Sequence, residues 1–203
     1  MGETVLKRCH DTTFPNDDKE LVMTTSWNID ATHSIIGFSI RHMVFSKVRG
    51  RFLRYTGAVQ LDADLAASSV EVTIDAASID TGNAQRDGHL RSADFFDAER
   101  FPELRFRSTR VDDLGGDRLR VTGNLTIRDI AREAVLDVER AGRGVDPWGN
   151  ERIGFVARTS LDRKDFGLKW NQVLEAGGVL VGDRVDIELD IQAVNTAARE
   201  AAA

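Results

Sequence analysis

A strict alternation of apolar and polar residues near the C-terminus constrains the fold of this chain most. From Val185 to Gln192, apolar residues at positions 185, 187, 189 and 191 alternate with Asp, Glu, Asp and Gln. Successive side chains of a β-strand point to opposite faces of a sheet, so this period of two indicates a strand with one dry and one wet face. Such strands are typical of antiparallel sheets that cover a core on one side.

The same period recurs along most of the chain, and turn sequences such as Leu114–Asp117 and Asp146–Asn150 separate the repeats. Long, neighbour-paired strands with one dry face close most economically into an up-and-down barrel, which removes exposed edges. We therefore predict an all-β, eight-stranded antiparallel barrel, with Gly50 and Gly57 bending its second strand. The predicted strands are 34–42, 47–62, 69–79, 103–112, 117–127, 131–142, 152–162 and 179–194.

One charged segment interrupts these strands. Residues 86–97 read Arg-Asp-Gly-His-Leu-Arg-Ser-Ala-Asp-Phe-Phe-Asp, so that dense charge leads directly into two phenylalanines. We predict a short, amphipathic helical insert near residues 83–98. With an apolar face to bury and a polar face to keep wet, this insert is expected to lie over the open end of the barrel as a plug or lid.

Composition limits the function classes. The chain has 203 residues, a net charge of −6 and one cysteine, Cys9. This length fits one well-buried domain. The negative charge argues against general nucleic-acid binding, which neutralises phosphates with Lys and Arg. One cysteine allows no internal disulfide, so nothing requires an oxidising compartment.

The ends of the chain carry the predictions about compartment and domain bounds. Charges are scattered through residues 1–22, whereas a secretory signal needs an uninterrupted apolar core. No window approaches the roughly 18 consecutive apolar residues of a membrane-spanning helix. We expect a cytoplasmic protein with no membrane span, a disordered extension over 1–22, the barrel over 23–195, and a disordered tail over 196–203.

A set of motifs resembles the YceI-like family. They run in order from Trp27 to about Val194, and together they are far more specific than any one alone. The resemblance implies a lipocalin-like barrel whose apolar tunnel holds a polyisoprenoid, either an isoprenoid quinone or a prenyl pyrophosphate. Many relatives carry a signal peptide, whereas the scattered charges of residues 1–22 lead us to expect none here. The motifs are Trp27–Ser34, Gly37–Met43, Val48–Phe52, Arg86–Phe96 with Phe101-Pro102, Gly123–Ile127 and Arg163–Leu168.

A polyprenyl chain would be bound chiefly by removing apolar area from water, at about 25 cal/mol per Å². Its tunnel therefore needs aromatic and branched aliphatic residues from the dry faces of the strands. The alternative is that the same residues fill an ordinary barrel core and leave no space. The tunnel candidates are Phe38, Ile40, Phe52, Val72, Ile74, Phe106, Leu125, Phe155 and Ile187.

Cationic residues at the barrel mouth are the candidates for binding a polar head group. His42 shares a face with Phe38 and Ile40, so it is expected to point inward, as a core residue or as a partner for a carbonyl or phosphate oxygen. The planar guanidinium groups of Arg86 and Arg91 suit a pyrophosphate. Pairing with nearby acids, which would fasten the insert to the rim, is the alternative. His89 completes this set, and Phe95 and Phe96 are expected to dock the insert, with one of them touching ligand.

No constellation for chemistry stands out. The four histidines lack the spacing of a metal site, so we predict neither metal ligands nor catalytic residues, and no cofactor apart from a bound polyisoprenoid. A non-catalytic lipid binder is the leading hypothesis. The alternatives are an enzyme of isoprenoid or lipid metabolism that uses His42 or His89 as acid–base, and a packed barrel that binds a protein partner. The sequence leaves a homodimer open, and places Trp170 at the other barrel end or in a dimer contact.

Overall fold

The structure is a computed structural model that describes residues 24–43, 45–174 and 178–196. The predicted extension over 1–22, Cys9, and the tail beyond Thr196 lie outside the described residues. Within them, one α-helix, α1 (Ala84–Arg91), accompanies eleven strands. The strands are β1 (Thr25–Ile29), β2 (Ile35–His42), β3 (Ser46–Phe52), β4 (Tyr55–Leu61), β5 (Ser69–Asp75), β6 (Ile79–Asp80), β7 (Glu103–Asp113), β8 (Arg118–Ile127), β9 (Ile130–Val145), β10 (Glu151–Asp162) and β11 (Val181–Asn195).

Eight of these strands close into an antiparallel barrel. Their order is β1-β4-β5-β7-β8-β9-β10-β11, and β11 returns to pair with β1. Trp27 of β1 lies opposite Asn195 of β11 on one side and opposite Val59 of β4 on the other. The prediction of an all-β, eight-stranded antiparallel barrel with a short helix is thus confirmed.

The 15-residue strand β11 is long enough to pair with two strands along one edge. Its end near Ala193 pairs with β1, and its preceding part pairs with β2, whose Ile35 lies opposite Asp190. β3 and then β6 continue the sheet outward from β2. At the turn between β1 and β2, Asp30 accepts hydrogen bonds from the backbone N–H and the hydroxyl of Thr32.

The prediction of one strand over residues 47–62 is wrong. The segment forms β3 and β4, which are separated at Leu53–Arg54. There the backbone changes partner, because the Leu53 N–H donates to the carbonyl of Ser78 at 3.1 Å and the Arg54 carbonyl accepts from Asp75 at 3.0 Å. Gly50 permits close approach rather than a bend, since a Cβ there would collide with the ring of Phe38.

Two other strand predictions also need correction. The predicted strand 69–79 ends at Asp75, whose carboxylate accepts from the Ala77 N–H at 2.8 Å and so begins a short 3-10 helix. β6 follows that helix. β1 was not among the predicted strands; it precedes the predicted first strand and carries the fully buried Trp27.

Only residues 84–91 of the predicted insert over 83–98 form an α-helix. The Asn83 side chain caps the N-terminus of α1 by accepting from the Arg86 N–H at 3.0 Å. The helix ends at Arg91, and residues 92–100 continue as turns. Phe95 and Phe96 therefore lie in the turn segment, where the ring of Phe96 meets the ring of Phe52 edge-on at 5.8 Å between centroids.

Candidate functional site

The barrel encloses a cavity of about 700 Å³. Inward side chains such as Phe38, Ile40 and Ile187 are only partly buried by protein, because they face this space. A cavity of this size lies within the range of small-molecule sites, roughly 300–1,000 Å³. The interior is therefore not a filled core, and the alternative of a simply packed barrel is contradicted.

Fourteen of the fifteen residues that the sequence analysis selected line this cavity. All nine tunnel candidates are among them, because alternation along a strand determines which side chains face the barrel interior. Whether they contact a ligand stays a prediction. The fourteen are Phe38, Ile40, His42, Phe52, Val72, Ile74, Arg86, His89, Phe95, Phe96, Phe106, Leu125, Phe155 and Ile187.

The cavity is long. On β11 the lining residues extend from Val181 to Ile191. Those ten steps correspond to at most about 33 Å along a strand, or roughly 25 Å along the axis of a barrel whose strands tilt by about 40°. Leu61 and Leu65 line the far end of the cavity, opposite His42 and Leu180. The space is thus a tunnel rather than a round pocket.

The ionisable groups that line the cavity are cationic or neutral. Arginines at positions 41, 86 and 163 and histidines at 42 and 89 line it, together with Thr81. Within the described part of the chain, no Asp or Glu does so. These groups gather where α1 meets the ends of β2 and β10. This end, which we call the basic end, offers hydrogen-bond donors and positive charge.

Arg86 is held in place by Thr81. Its Nε donates to the Thr81 hydroxyl at 2.7 Å, and its NH2 group donates to the Thr81 carbonyl at 2.8 Å. The buried Asp87 in turn accepts from the hydroxyl and the backbone N–H of Thr81. These hydrogen bonds leave the NH1 group of Arg86 without a partner among the described residues, on a side chain that lines the cavity.

Arg91 is the one selected residue that does not line the cavity. Its Nε donates to the carbonyl of Ala77 at 2.8 Å and its NH2 group to that of Ile79 at 3.0 Å. The guanidinium therefore fastens α1 to the short 3-10 helix that follows β5 and to the first residue of β6. The expected pairing of Arg86 or Arg91 with nearby acids is wrong, because both arginines bond to Thr81 or to backbone carbonyls instead.

His89 lies between two aromatic rings. Its ring meets Trp170 edge-on at 4.7 Å and Phe95 at 5.1 Å between centroids, and its Nε2 lies 2.9 Å from the Asp94 carboxylate. Trp170 also lines the cavity. The placement of Trp170 at the opposite barrel end is therefore wrong, since the loop that carries it folds back onto the insert.

Arg163 is a cavity residue that sequence reasoning did not select. It is almost completely buried, and its guanidinium donates to the carbonyls of Gly182, Leu168 and Trp170. Burial lowers the pKa of this guanidinium, against the opposing effect of the nearby Asp183 carboxylate. Its only sequence signal was the motif Arg163–Leu168, and alternation could not place it because it follows the last residue of β10.

The opposite end of the barrel is fastened by Arg152. Its NH1 group lies 2.7 Å from Asp30 and its Nε lies 2.7 Å from Asp146. Burial opposes ionisation of Asp30, but hydrogen bonds from Thr32, Arg152 and His33 outweigh it and lower its pKa. The pKa of Asp146 is also lowered, first by the Asn150 amide and then by Arg152.

Over the described ranges, no three His, Cys, Asp or Glu side chains come together as metal ligands. In the same ranges, no helix combines the length and the hydropathy that crossing a bilayer demands.

The family follows from a match that covers most of the barrel. The model of the YceI-like domain matches residues 27–193. This chain belongs to the YceI-like domain family. The resemblance that the motifs suggested is confirmed. The matched range begins in β1 and ends in β11, two residues before that strand ends.

Relatives and solved structures agree with this assignment. A UPF0312 protein of Vibrio cholerae is 41% identical over 163 residues, which cover 80% of this chain and 82% of that protein. BcnA of Burkholderia cenocepacia is similar in structure, with a TM-score of 0.71 and 26% identity over 81% of this chain and 98% of that chain. A polyisoprenoid binding domain from Saccharophagus degradans shares the fold, with a TM-score of 0.60 and 16% identity over 84% of this chain and 99% of that chain.

Proposed function

We propose that this protein binds a polyisoprenoid lipid in its barrel without chemical conversion. The observation that carries the proposal is the tunnel of about 700 Å³, whose lining is apolar along its length and basic at one end. That division matches a molecule with a long hydrocarbon chain and a small polar head. The neighbour from Saccharophagus degradans is described as a polyisoprenoid binding domain, and we extend that chemistry to this chain.

The length of the tunnel favours a polyisoprenoid over a fatty acyl chain. A bilayer core is about 30 Å thick, so one acyl chain reaches through about half of it, or roughly 15 Å. The lining of β11 from Val181 to Ile191 corresponds to roughly 25 Å along the barrel axis. An acyl chain of that reach would leave the far end near Leu65 empty, whereas a longer prenyl chain would fill it.

The basic end supports a head group that accepts hydrogen bonds. Arg86, whose NH1 group has no partner among the described residues, lines the cavity together with His42 and His89. A pyrophosphate would gain charge-assisted hydrogen bonds there, and a quinone carbonyl would gain weaker neutral ones. We propose a prenyl pyrophosphate or an isoprenoid quinone, with Arg86, His42 and His89 facing the head and Arg91 acting only on the insert.

The enzyme alternative depends on His42 or His89 as acid–base. His89 has a carboxylate partner in Asp94, but both side chains are partly exposed and the carboxylate does not line the cavity. The aromatic contacts of His89 with Phe95 and Trp170 give it a role in fixing α1 against the loop. This packing supports a binding role for the basic end rather than acid–base chemistry.

Thermal melts in a mild detergent test the proposal. We expect a long-chain isoprenoid quinone or polyprenyl pyrophosphate to raise the melting temperature in a saturable way, because a ligand that binds only the folded state stabilises it. Palmitic acid, whose chain is shorter than the tunnel, serves as the matched control and should raise the melting temperature less. Equal shifts with palmitic acid, or no shift with either prenyl lipid, would contradict the assignment.

A further inference from the structure

Among the residues that the structure describes, four apolar side chains stand exposed beside the basic end of the cavity. Phe45 is 77% exposed and Val173 is 81% exposed, while Val179 and Met43 are 41% and 36% exposed. Two backbone contacts bring them together, since Met43 donates to the Leu180 carbonyl at 2.9 Å and Val173 forms an isolated bridge with Val179. We call Met43, Phe45, Val173 and Val179 the apolar rim.

The apolar rim is continuous with the mouth of the cavity. His42 precedes Met43 and Leu180 follows Val179, and both His42 and Leu180 line the cavity. Of the described residues that line the cavity, four are exposed. Arg41, Asn83 and Gln85 lie at this end, and Ser69 lies at the far end. Solvent therefore reaches the cavity mainly beside the rim, and a ligand that enters or leaves here passes the exposed apolar side chains.

Basic residues surround the apolar rim. Arg41, Lys47 and Arg49 are exposed on β2 and β3, and Lys169 is exposed on the loop that leads to Val173. Lys47 is paired with Asp186 at 3.5 Å, while Arg41, Arg49 and Lys169 have no ion pair among the described residues. The rim thus combines apolar side chains with a positive surface, although the chain as a whole carries a net charge of −6.

The opposite end of the barrel provides a contrast. It exposes Trp148, at 81%, in the turn between β9 and β10, so it also presents a large apolar side chain. The charges near it are of both signs, since Asp112 in β7 is paired with Arg110 and Asp117 in the turn that follows β7 is paired with Arg140. Exposed apolar area alone therefore does not distinguish the two ends, but the charge around it and its distance from the basic lining of the cavity do.

We propose that the apolar rim docks on the surface of a bilayer that contains anionic lipids, so that the cavity mouth faces the membrane. Apolar side chains that enter the interface, together with cations that meet anionic head groups, are the two contributions that hold a protein there. The inference rests on the proposed function, because a polyisoprenoid resides in a bilayer and direct transfer keeps its chain out of water.

Co-sedimentation with vesicles tests the docking. The full chain is mixed with vesicles of phosphatidylcholine, with and without phosphatidylglycerol, and no isoprenoid is present. We expect binding to the anionic vesicles that weakens as salt is raised, because salt screens exposed charges. Phe45→Ser with Val173→Ser should reduce the partition coefficient by about tenfold or more. Trp148→Ser, which changes an equally exposed apolar residue at the opposite end of the barrel, is the matched control and should bind as the wild type does.

A second variant and a second measurement distinguish failure of the docking from failure of the proposed lipid binding. Arg49→Glu with Lys169→Glu should lose binding to anionic vesicles while Phe45 and Val173 remain in place. The melting shift that detergent-solubilised prenyl lipid produces should be unchanged in both rim variants. A wild type that shows this shift but binds no vesicles would overturn the docking and leave the proposed function standing. Equal loss in Trp148→Ser, or a dimer in light scattering that the rim variants dissociate, would also overturn it.

Discussion

The Nε atom of Arg86 donates a hydrogen bond to the hydroxyl of Thr81 at 2.7 Å, and this contact holds the guanidinium of a side chain that lines the basic end of the tunnel. Arg91, one turn further along α1, has both of its contacts with the backbone of Ala77 and Ile79. Two arginines of the same helix are thus assigned to different tasks, one facing the cavity and one holding the helix.

Substitution of these two arginines should separate binding from stability. We expect Arg86→Ala to weaken the binding of a prenyl pyrophosphate about tenfold or more, since a charge-assisted hydrogen bond contributes about 1.5–3 kcal/mol. The binding of a neutral quinone should weaken far less. Arg91→Ala should instead lower the free energy of unfolding by about 1–3 kcal/mol, because it leaves two carbonyls without their donor. Titration of both lipids into each variant, with chemical denaturation alongside, checks this. Equal losses for both lipids in Arg86→Ala would remove its head-group role.

A bulky residue in the tunnel should block the ligand. We expect Ile40→Trp to fold and to lose the lipid-induced rise in melting temperature, because the indole would occupy the space that Phe38 and Ile187 now border. In a filled core the same change would cost roughly 1–3 kcal/mol in stability. Ser39→Trp places the same ring on the outer face of β2 and is the control. An unchanged lipid shift in Ile40→Trp would contradict the tunnel.

Tyr55 should make stability sensitive to high pH. Its hydroxyl donates to the carbonyl of Ser34 at 2.6 Å, and burial, followed by the charge of Asp30, raises its pKa above 10.0. The folded state therefore retains the phenolic proton more tightly than the unfolded state, so stability is complete below about pH 10 and falls as pH rises further. Tyr55→Phe should cost about 1 kcal/mol at neutral pH and flatten that alkaline loss. A wild-type stability that stays constant above pH 10 would refute it.

Asp30 should contribute to acid sensitivity in the opposite direction. Its pKa is lowered in the folded state, so its contribution is present above the ordinary value of 3.8 and is lost as pH falls below it. We expect Asp30→Asn to reduce the free energy of unfolding at pH 7 and to flatten its decline in acid. Asp190→Asn, an exposed position on β11, is the control and should change neither. Denaturation curves between pH 2 and pH 7 give the comparison, and parallel declines in the wild type and Asp30→Asn would contradict the role of this carboxylate.

The sequence predicted the inward-facing residues, and the bounds of β7 to β10 to within three residues, because both follow from one local rule. Alternation placed Phe38, Ile40 and Ile187 on a dry face, and the barrel turns that face toward the cavity. The turn between β8 and β9 was harder to recognise, because it uses Arg128 and Asp129 at φ values of 53° and 61° instead of glycine. Its tight two-residue form nevertheless agrees with a hairpin.

Features that depend on contacts between residues far apart in the sequence could not be predicted from alternation. The break at Leu53–Arg54 arises because the backbone there bonds to the segment near Ser78, a change of partner that alternation cannot show. The meeting of Arg163 and Trp170 with the insert depends on loop paths, and the role of Arg91 depends on carbonyls from another element. Local patterns carry no information about such acceptors.

Native mass spectrometry of the freshly purified protein, with no lipid added, tests the central claim most directly. We predict that the wild-type chain carries a noncovalent adduct whose mass corresponds to a polyisoprenoid, and that Ile40→Trp, purified in parallel, carries none. Fragmentation of the released ligand should then show losses of isoprene repeats. A wild-type spectrum that contains only the bare chain, or an adduct whose mass and fragments fit no isoprenoid, would contradict the account.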